Sequence, residues 1–221
     1  MKFARADYSL YLVTDRDLSM GRSIEEVVRA AVRGGVTCVQ LREKECSSAE
    51  FLDLALSLKA GLSKRRIPLI INDRLDIALA SEADGIHLGQ HDIPLAAAKR
   101  ISGGRLLIGI SAESVEDAVR AEAGGADYIG ISPVFTTPTK TDTAEPLGLE
   151  GIRRIRQAVK IPLVGIGGLN LGNAGQVIRS GADGVAVVSA IMSAPDPEKA
   201  ARELLLEIRK AGKQCEGKKT G

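Results

Sequence analysis

The 221-residue chain predicts a closed (β/α)8 TIM barrel, an α/β fold built as a single domain, and three observations carry that expectation. Eight short runs rich in Val, Ile and Leu recur along the chain, most of them bounded by Gly, Asp or Pro. Segments of helical periodicity separate most of these runs, and strands this apolar have to be covered on both faces, as in a parallel sheet wrapped by helices. The helix-to-strand joints also repeat: RGGVTCVQL, SEADGIHLG, AGGADYIGI and RSGADGVAVV are variants of one Gly-Ala-Asp-strand unit. An open doubly wound sheet is the alternative. It is disfavoured by the strand count and by the lack of a GxGxxG turn after the first strand.

The elements follow in order. YSLYLV (8–13) is the first strand, and SIEEVVRAAVRGG (23–35) is a helix with Ser23 as N-cap, Glu25 and Glu26 in its first turn, and glycine at its close. VTCVQL (36–41) and IPLIIN (67–72) are the second and third strands, and RLDIALASE (74–82) is the weakest helix pattern. DGIHLG (84–89) and RLLIGI (105–110) come next, then SVEDAVRAEAGG (114–125), a helix capped by Ser114 with Glu116 and Asp117 behind it. DYIGIS (127–132), IPLVGI (161–166), the helical LGNAGQVIRSG (171–181) and DGVAVV (183–188) complete the barrel. No linker divides residues 1–221; the catalytic core is expected over about 8–211, with 212–221 a frayed tail.

Composition excludes several classes of function. The formal net charge is +2, from 30 basic and 28 acidic residues, too balanced to give a nucleic-acid or membrane surface by bulk electrostatics. The apolar run near the N-terminus is ended by Asp15, so it reads as a buried strand and not a signal peptide. No segment approaches the roughly 20 apolar residues of a membrane helix. Cys38, Cys46 and Cys215 match no metal or disulfide spacing, which points to reduced thiols and a cytoplasmic protein. The expected partners are small phosphorylated molecules, with no nucleic acid and no membrane.

In a barrel of this kind the reactive groups sit at the C-terminal ends of the strands. The second strand ends in QLREK, and period-2 alternation puts Gln40, Arg42 and Lys44 on one face, an arrangement suited to phosphate or pyrophosphate. The alternative is a solvated loop with ion pairs to Glu43 or Glu45. Asn72 and Asp73 end the third strand, and Gln90 and Asp92 follow the fourth. Two carboxylates beside an anion site suit Mg2+, although turn chemistry at Asp73 and helix capping by Asp92 give the same letters. His87 lies within a strand and reads as structural; His91 reads as exposed.

The loop SPVFTTPTKTDTAEPLG (132–148) carries Thr137, Thr139 and Lys140, hydroxyls and a cation such as a substrate-closing flap would offer; a merely disordered loop is the alternative. The loops after the seventh and eighth strands supply Gly165, Gly167, Gly168, Val188 and Ser189 for a second phosphate site. Two phosphate sites imply two phosphorylated substrates.

QLREK, NDR followed by GIHLGQHD, GIS at 109–111, PTK at 138–140, GIGG and VVSAI stand in an order and spacing that resemble the thiamine phosphate synthase family, also called thiamine-phosphate pyrophosphorylase. The resemblance runs from about Leu10 to Glu207. It implies a transferase that joins 4-amino-2-methyl-5-hydroxymethylpyrimidine diphosphate to 4-methyl-5-(2-phosphoethyl)thiazole, or its 2-carboxylate, releasing pyrophosphate. It further implies that Gln40, Leu41, Arg42, Glu43, Lys44, Asn72, Ser111 and Lys140 hold the pyrimidine diphosphate. Thr137, Pro138, Thr139, Gly168, Val188 and Ser189 would hold the thiazole phosphate, and Asp73 and Asp92 would bind Mg2+. Arg42, Lys44, Lys140 and Ser111 are the implied catalytic residues, acting on a pyrophosphate that departs before the new bond forms. A related thiazole tautomerase and a non-catalytic phosphate-binding barrel are the alternatives. Many members of the family carry histidine where this chain has Glu113.

Overall fold

The computed structural model describes residues 6–137 and 145–217. Eight parallel strands close into a barrel in chain order: β1 (Leu10–Val13), β2 (Cys38–Leu41), β3 (Leu69–Asn72), β4 (Gly85–Leu88), β5 (Leu107–Ala112), β6 (Tyr128–Ile131), β7 (Leu163–Gly165) and β8 (Gly184–Val187). Closure is made by β1 against β8, with Leu10 opposite Val185 and Leu12 opposite Val187. Around the strands lie α1 (Ile24–Gly34), α2 (Ser48–Ser63), α3 (Leu75–Ala80), α4 (Leu95–Ser102), α5 (Val115–Ala123), α6 (Gly148–Ala158), α7 (Ala174–Arg179), α8 (Ser189–Met192) and α9 (Pro197–Gly217). The weakest helix pattern in the sequence is indeed a short helix, α3. Residues 212–217, expected within a frayed tail, are instead the continuation of α9, which packs on α1 and α7 and buries Ala211 completely.

Alternation along each strand separates two cores. Leu10, Leu12, Val39, Leu41, Leu69 and Ile71 face outward and pack against the helices. Tyr8, Tyr11, Val13, Cys38, Ile70, Tyr128, Val164 and Ala186 face inward and fill the barrel. Tyr8 and Tyr128 stack with ring centroids 4.6 Å apart. Gly109 and Gly130 make room for this interior: a Cβ on Gly109 would stand 2.1 Å from the Tyr128 ring, and one on Gly130 2.9 Å from the His87 ring.

Local signals start the helices. In α1 the Ser23 hydroxyl accepts from the Glu26 N–H (3.2 Å) while the Glu26 carboxylate accepts from the Ser23 N–H (2.9 Å). Ser47 and Glu50 make the same reciprocal pair at the start of α2, at 3.2 and 2.9 Å.

The repeated joint has a physical purpose at the closed end of the barrel. The N–H of Leu69, opening β3, donates to Asp84 Oδ2 at 2.8 Å; Ile108 donates to Asp127 Oδ2, and Leu163 to Asp183 Oδ2, both also at 2.8 Å. Thr37 takes the place of aspartate in the first repeat, its hydroxyl accepting from Leu10 N–H at 3.0 Å. Each residue just before one strand thus satisfies an N–H at the start of the previous strand, which would otherwise be a buried donor without a partner. Asp127→Ala is therefore expected to lower the unfolding free energy by about 1–3 kcal/mol in urea titrations, the cost of an orphaned buried N–H.

Candidate active site

The face of β2 that looks into the barrel continues past the end of the strand. Gln40 is buried at the floor of the mouth, with Arg42 and Lys44 stepping up its wall. The Arg42 backbone N–H donates to Thr14 Oγ1 at 3.0 Å and its guanidinium to Asp15 Oδ2 at 3.1 Å, so β1 and its loop hold the cation in place. Lys44 Nζ stands 3.8 Å from Asp73 Oδ2, a loose and half-exposed pair that contributes little stability and leaves the ammonium open to an anion. These partners, Asp15 and Asp73, replace the Glu43 and Glu45 pairs that a plain solvated loop would have made. The intervening side chains go the other way. Leu41 packs in the outer core, and Glu43, its side chain 3% exposed, pairs with Arg16 at 3.0 Å outside the cavity.

Asn72 ends β3 facing inward, and Asp73 follows in the left-handed region at φ 61°, a conformation that costs about 1 kcal/mol or more for a residue with a Cβ. Its N–H donates to the His87 carbonyl at 2.9 Å, which holds that turn against β4. Asp92 returns over the β4 end, where its Oδ2 accepts from the Gly89 N–H at 2.6 Å. The two carboxylates meet. Burial, then hydrogen bonding and repulsion from Asp92, push the Asp73 carboxyl up to about 6 despite the opposing Lys44 and Asn72.

Such convergence of hard oxygen donors fits Mg2+, which would relieve the repulsion. Among the described residues no group of three or more His, Cys, Asp or Glu could hold a metal, so further oxygens must come from phosphate and water, as Mg2+ prefers.

The floor of the cavity holds residues that strand patterning alone passed over. Gln40 Nε2 donates to Tyr11 Oη (2.9 Å), Tyr11 Oη lies 2.9 Å from Tyr128 Oη, Tyr128 Oη lies 3.0 Å from His87 Nδ1, and His87 Nε2 lies 3.0 Å from Ser111 Oγ. A continuous hydrogen-bonded chain thus crosses the barrel from β2 to β5. The sequence held one signal for it: the chain has three tyrosines, and Tyr8, Tyr11 and Tyr128 all fall within or beside strands. His87 is structural as expected, but it also touches a site residue. Burial pushes its imidazole down to about 4, keeping it neutral at physiological pH. Burial also pushes the Cys38 thiol well up, which makes it a poor nucleophile.

Because His87 is neutral in the fold, the unfolded chain binds the additional proton between about pH 6.5 and 4, so its contribution to stability falls as pH drops through that window. Asp73 has the opposite sign: its raised pKa makes the folded chain the better proton binder between about pH 3.8 and 6. The two slopes oppose each other in wild type. Urea titrations of Asp73→Asn across this range should therefore unmask a His87 slope of roughly 1.4 kcal/mol per pH unit.

The remaining wall comes from β5 to β8. Ser111 lies in β5, and its carbonyl accepts a hydrogen bond from Gln90 Nε2. Glu113 and the exposed His91 line the rim. Gly167 (φ 99°) and Gly168 (φ 65°) turn in the left-handed region, and a Cβ on Gly168 would come within 2.7 Å of the Thr136 carbonyl. Val188 and Ser189, at the start of α8, line the same side. Gly165 does not join them: it faces α7, where a Cβ would meet Val177 at 2.7 Å, so its role is helix packing. Thr137 lines the cavity; Pro138, Thr139 and Lys140 lie outside the described residues. The cavity at the mouth has a volume of about 400 Å3.

A (β/α)8 barrel that gathers a basic pair, two carboxylates and tightly turned glycine backbone at its strand ends has the build of a barrel enzyme with its site at the C-terminal mouth. Comparison with known proteins narrows this class. The family model described as thiamine monophosphate synthase matches residues 10–191. The thiamine-phosphate synthase of Syntrophomonas wolfei is 55% identical over 199 residues, 90% of this chain and 95% of the relative. That of Albidiferax ferrireducens is 54% identical over 195 residues, covering 88% and 89%. A solved structure of thiamine phosphate pyrophosphorylase from Pyrococcus furiosus superposes with a TM-score of 0.87 at 41% identity, covering 93% of this chain and 98% of that one. The chain belongs to the thiamine monophosphate synthase family.

Proposed function

We infer that this protein couples 4-amino-2-methyl-5-hydroxymethylpyrimidine diphosphate with 4-methyl-5-(2-phosphoethyl)thiazole, or with its 2-carboxylate under loss of carbon dioxide, to give thiamine phosphate and pyrophosphate. The observation that supports it most is the meeting of Asp73 and Asp92 beside Lys44, in the cavity that Arg42 also lines, a constellation for a diphosphate with its cation. Arg42, Lys44 and Asn72 take the diphosphate, Gln40 and Ser111 the pyrimidine, and Lys140 adds a further cation from the β6–α6 loop. The Gly168 and Val188–Ser189 backbone, with Thr137 to Thr139, holds the thiazole phosphate. Mg2+ on Asp73 and Asp92 supplies charge neutralisation to the diphosphate.

Arg42 and Lys44 bind an anion that gains charge as the methylene C–O bond breaks, so they stabilise the leaving pyrophosphate more than the bound diphosphate. Electrons from the aminopyrimidine support the methylene cation that remains, and the thiazole nitrogen then donates its lone pair to that carbon. No proton moves in this bond formation, which agrees with a buried, unactivated Cys38 and a neutral His87.

The decisive experiment mixes purified protein with both substrates, with Mg2+ or with EDTA, and detects thiamine phosphate as its fluorescent thiochrome. Mg2+-dependent product is expected. Absence of product from folded protein that binds the thiazole phosphate would overturn the coupling.

A further inference from the structure

The hydrogen-bonded chain at the barrel floor can run in one sense from end to end. With Gln40 donating an amide N–H to Tyr11 Oη, the Tyr11 hydroxyl proton can pass on to Tyr128 Oη, 2.9 Å away. In that sense Tyr128 donates to His87 Nδ1, and the proton of the neutral imidazole sits on Nε2, where it is donated to Ser111 Oγ. Each link holds the next in one sense. The ends then offer opposite groups to the cavity that both line: at β2 the Gln40 amide oxygen, an acceptor, and at β5 the Ser111 hydroxyl proton, a donor.

The chain is costly to reverse. Tyr11 and Tyr128 are buried, with 1% and 0% exposure, and Gly109 and Gly130 leave no slack around the Tyr128 and His87 rings. Reversal has to move the His87 proton to Nδ1 and turn the Tyr128 and Ser111 hydroxyls with it. Otherwise a buried polar group is left unpaired.

Taking the aminopyrimidine of the proposed reaction as the ligand, we propose that Tyr11, Tyr128 and His87 are positioning residues that set the specificity of this site. By fixing Gln40 as acceptor and Ser111 as donor, they select a ring that presents an amino N–H and an unprotonated ring nitrogen. A 4-oxo pyrimidine presents the reverse, a carbonyl and a ring N–H, and is refused although its shape is nearly the same. Sites that hydrogen-bond a substrate group in this way discriminate strongly, because the wrong ligand leaves buried polar atoms unpaired.

Tyr128→Phe cuts the chain with little change of shape. His87 Nδ1 loses its donor, the imidazole becomes free to take either tautomer, and Ser111 can turn its lone pair to the cavity. The test is calorimetric binding, with Mg2+, of the 4-amino and 4-oxo pyrimidine diphosphates to wild type and to Tyr128→Phe, with Tyr11→Phe as a second cut should the first variant not fold. Wild type is expected to favour the amino form by about a thousandfold or more, and the cut variants to lose about tenfold or more of that ratio, mainly through better binding of the oxo form. A loss of affinity shared equally by both ligands would make the tyrosines merely structural and overturn the proposal while leaving the reaction intact. Wild type that fails to bind the amino form would overturn the pyrimidine assignment itself, and with it the basis for the chain's role.

Discussion

Asp73→Asn is expected to be more stable than wild type in metal-free buffer at pH 7.5 and to have lost nearly all turnover. The carboxyl is partly buried and held against Asp92, and its pKa pushed up to about 6 is the record of that disfavour; the residue also sits in the left-handed region at φ 61°. An amide carries no charge to bury or repel, and asparagine tolerates positive φ better than most residues. A shift of that size, discounted for the third of the side chain that faces solvent, corresponds to roughly 1–2 kcal/mol of added stability by urea titration. The same change removes one of the two carboxylates that would hold Mg2+, so kcat is expected to drop by about a hundredfold or more. Its stabilisation by Mg2+ with pyrophosphate in thermal melts should shrink in parallel. A variant that is both less stable than wild type and fully active would refute the account of this pair.

Arg42→Ala is the second large effect, and the kinetic parameter that changes is the informative part. The guanidinium is tethered by Asp15 and lies beside the proposed diphosphate site, where it can follow charge that accumulates on the leaving group. If it acts on the departing pyrophosphate, kcat should fall by about a hundredfold or more, with a smaller change in KM. A rise in KM alone would mean that Arg42 holds ground state and transition state equally. Wild-type kinetics would remove it from the site. Asp15→Asn, which frees the guanidinium without deleting it, is expected to give a smaller loss in the same direction, because the tether orients a group that remains present.

Much of this site could be read from residue order, for a simple geometric reason. In a barrel the strand ends gather at one mouth whatever the helices do, so Gln40, Arg42, Lys44, Asn72 and Ser111 are placed by two-residue alternation and strand position. Alternation likewise implies that Leu41 and Glu43 turn away, and the structure pairs Glu43 with Arg16. The repeated aspartates were visible as a pattern, yet their use was not, since the N–H that Asp84 satisfies lies fifteen residues earlier on another strand. Gly165 reads like Gly167 and Gly168 in sequence; only the closeness of Val177 shows that it packs a helix.

By itself the sequence determined the barrel, its strand order, the basic and acidic groups at its mouth and the family, because each depends on local periodicity or on residues close together in the chain. Tertiary structure alone decided which charges meet and which hydroxyls join. Asp73 and Asp92 come from different strand ends, and Tyr11 and Tyr128 are 117 positions apart, yet closing the cylinder brings the two tyrosine hydroxyls to 2.9 Å. Hydrogen bonds and carboxylate repulsion act over a few ångströms of space and have no period along a chain, so they become legible only after the barrel has closed.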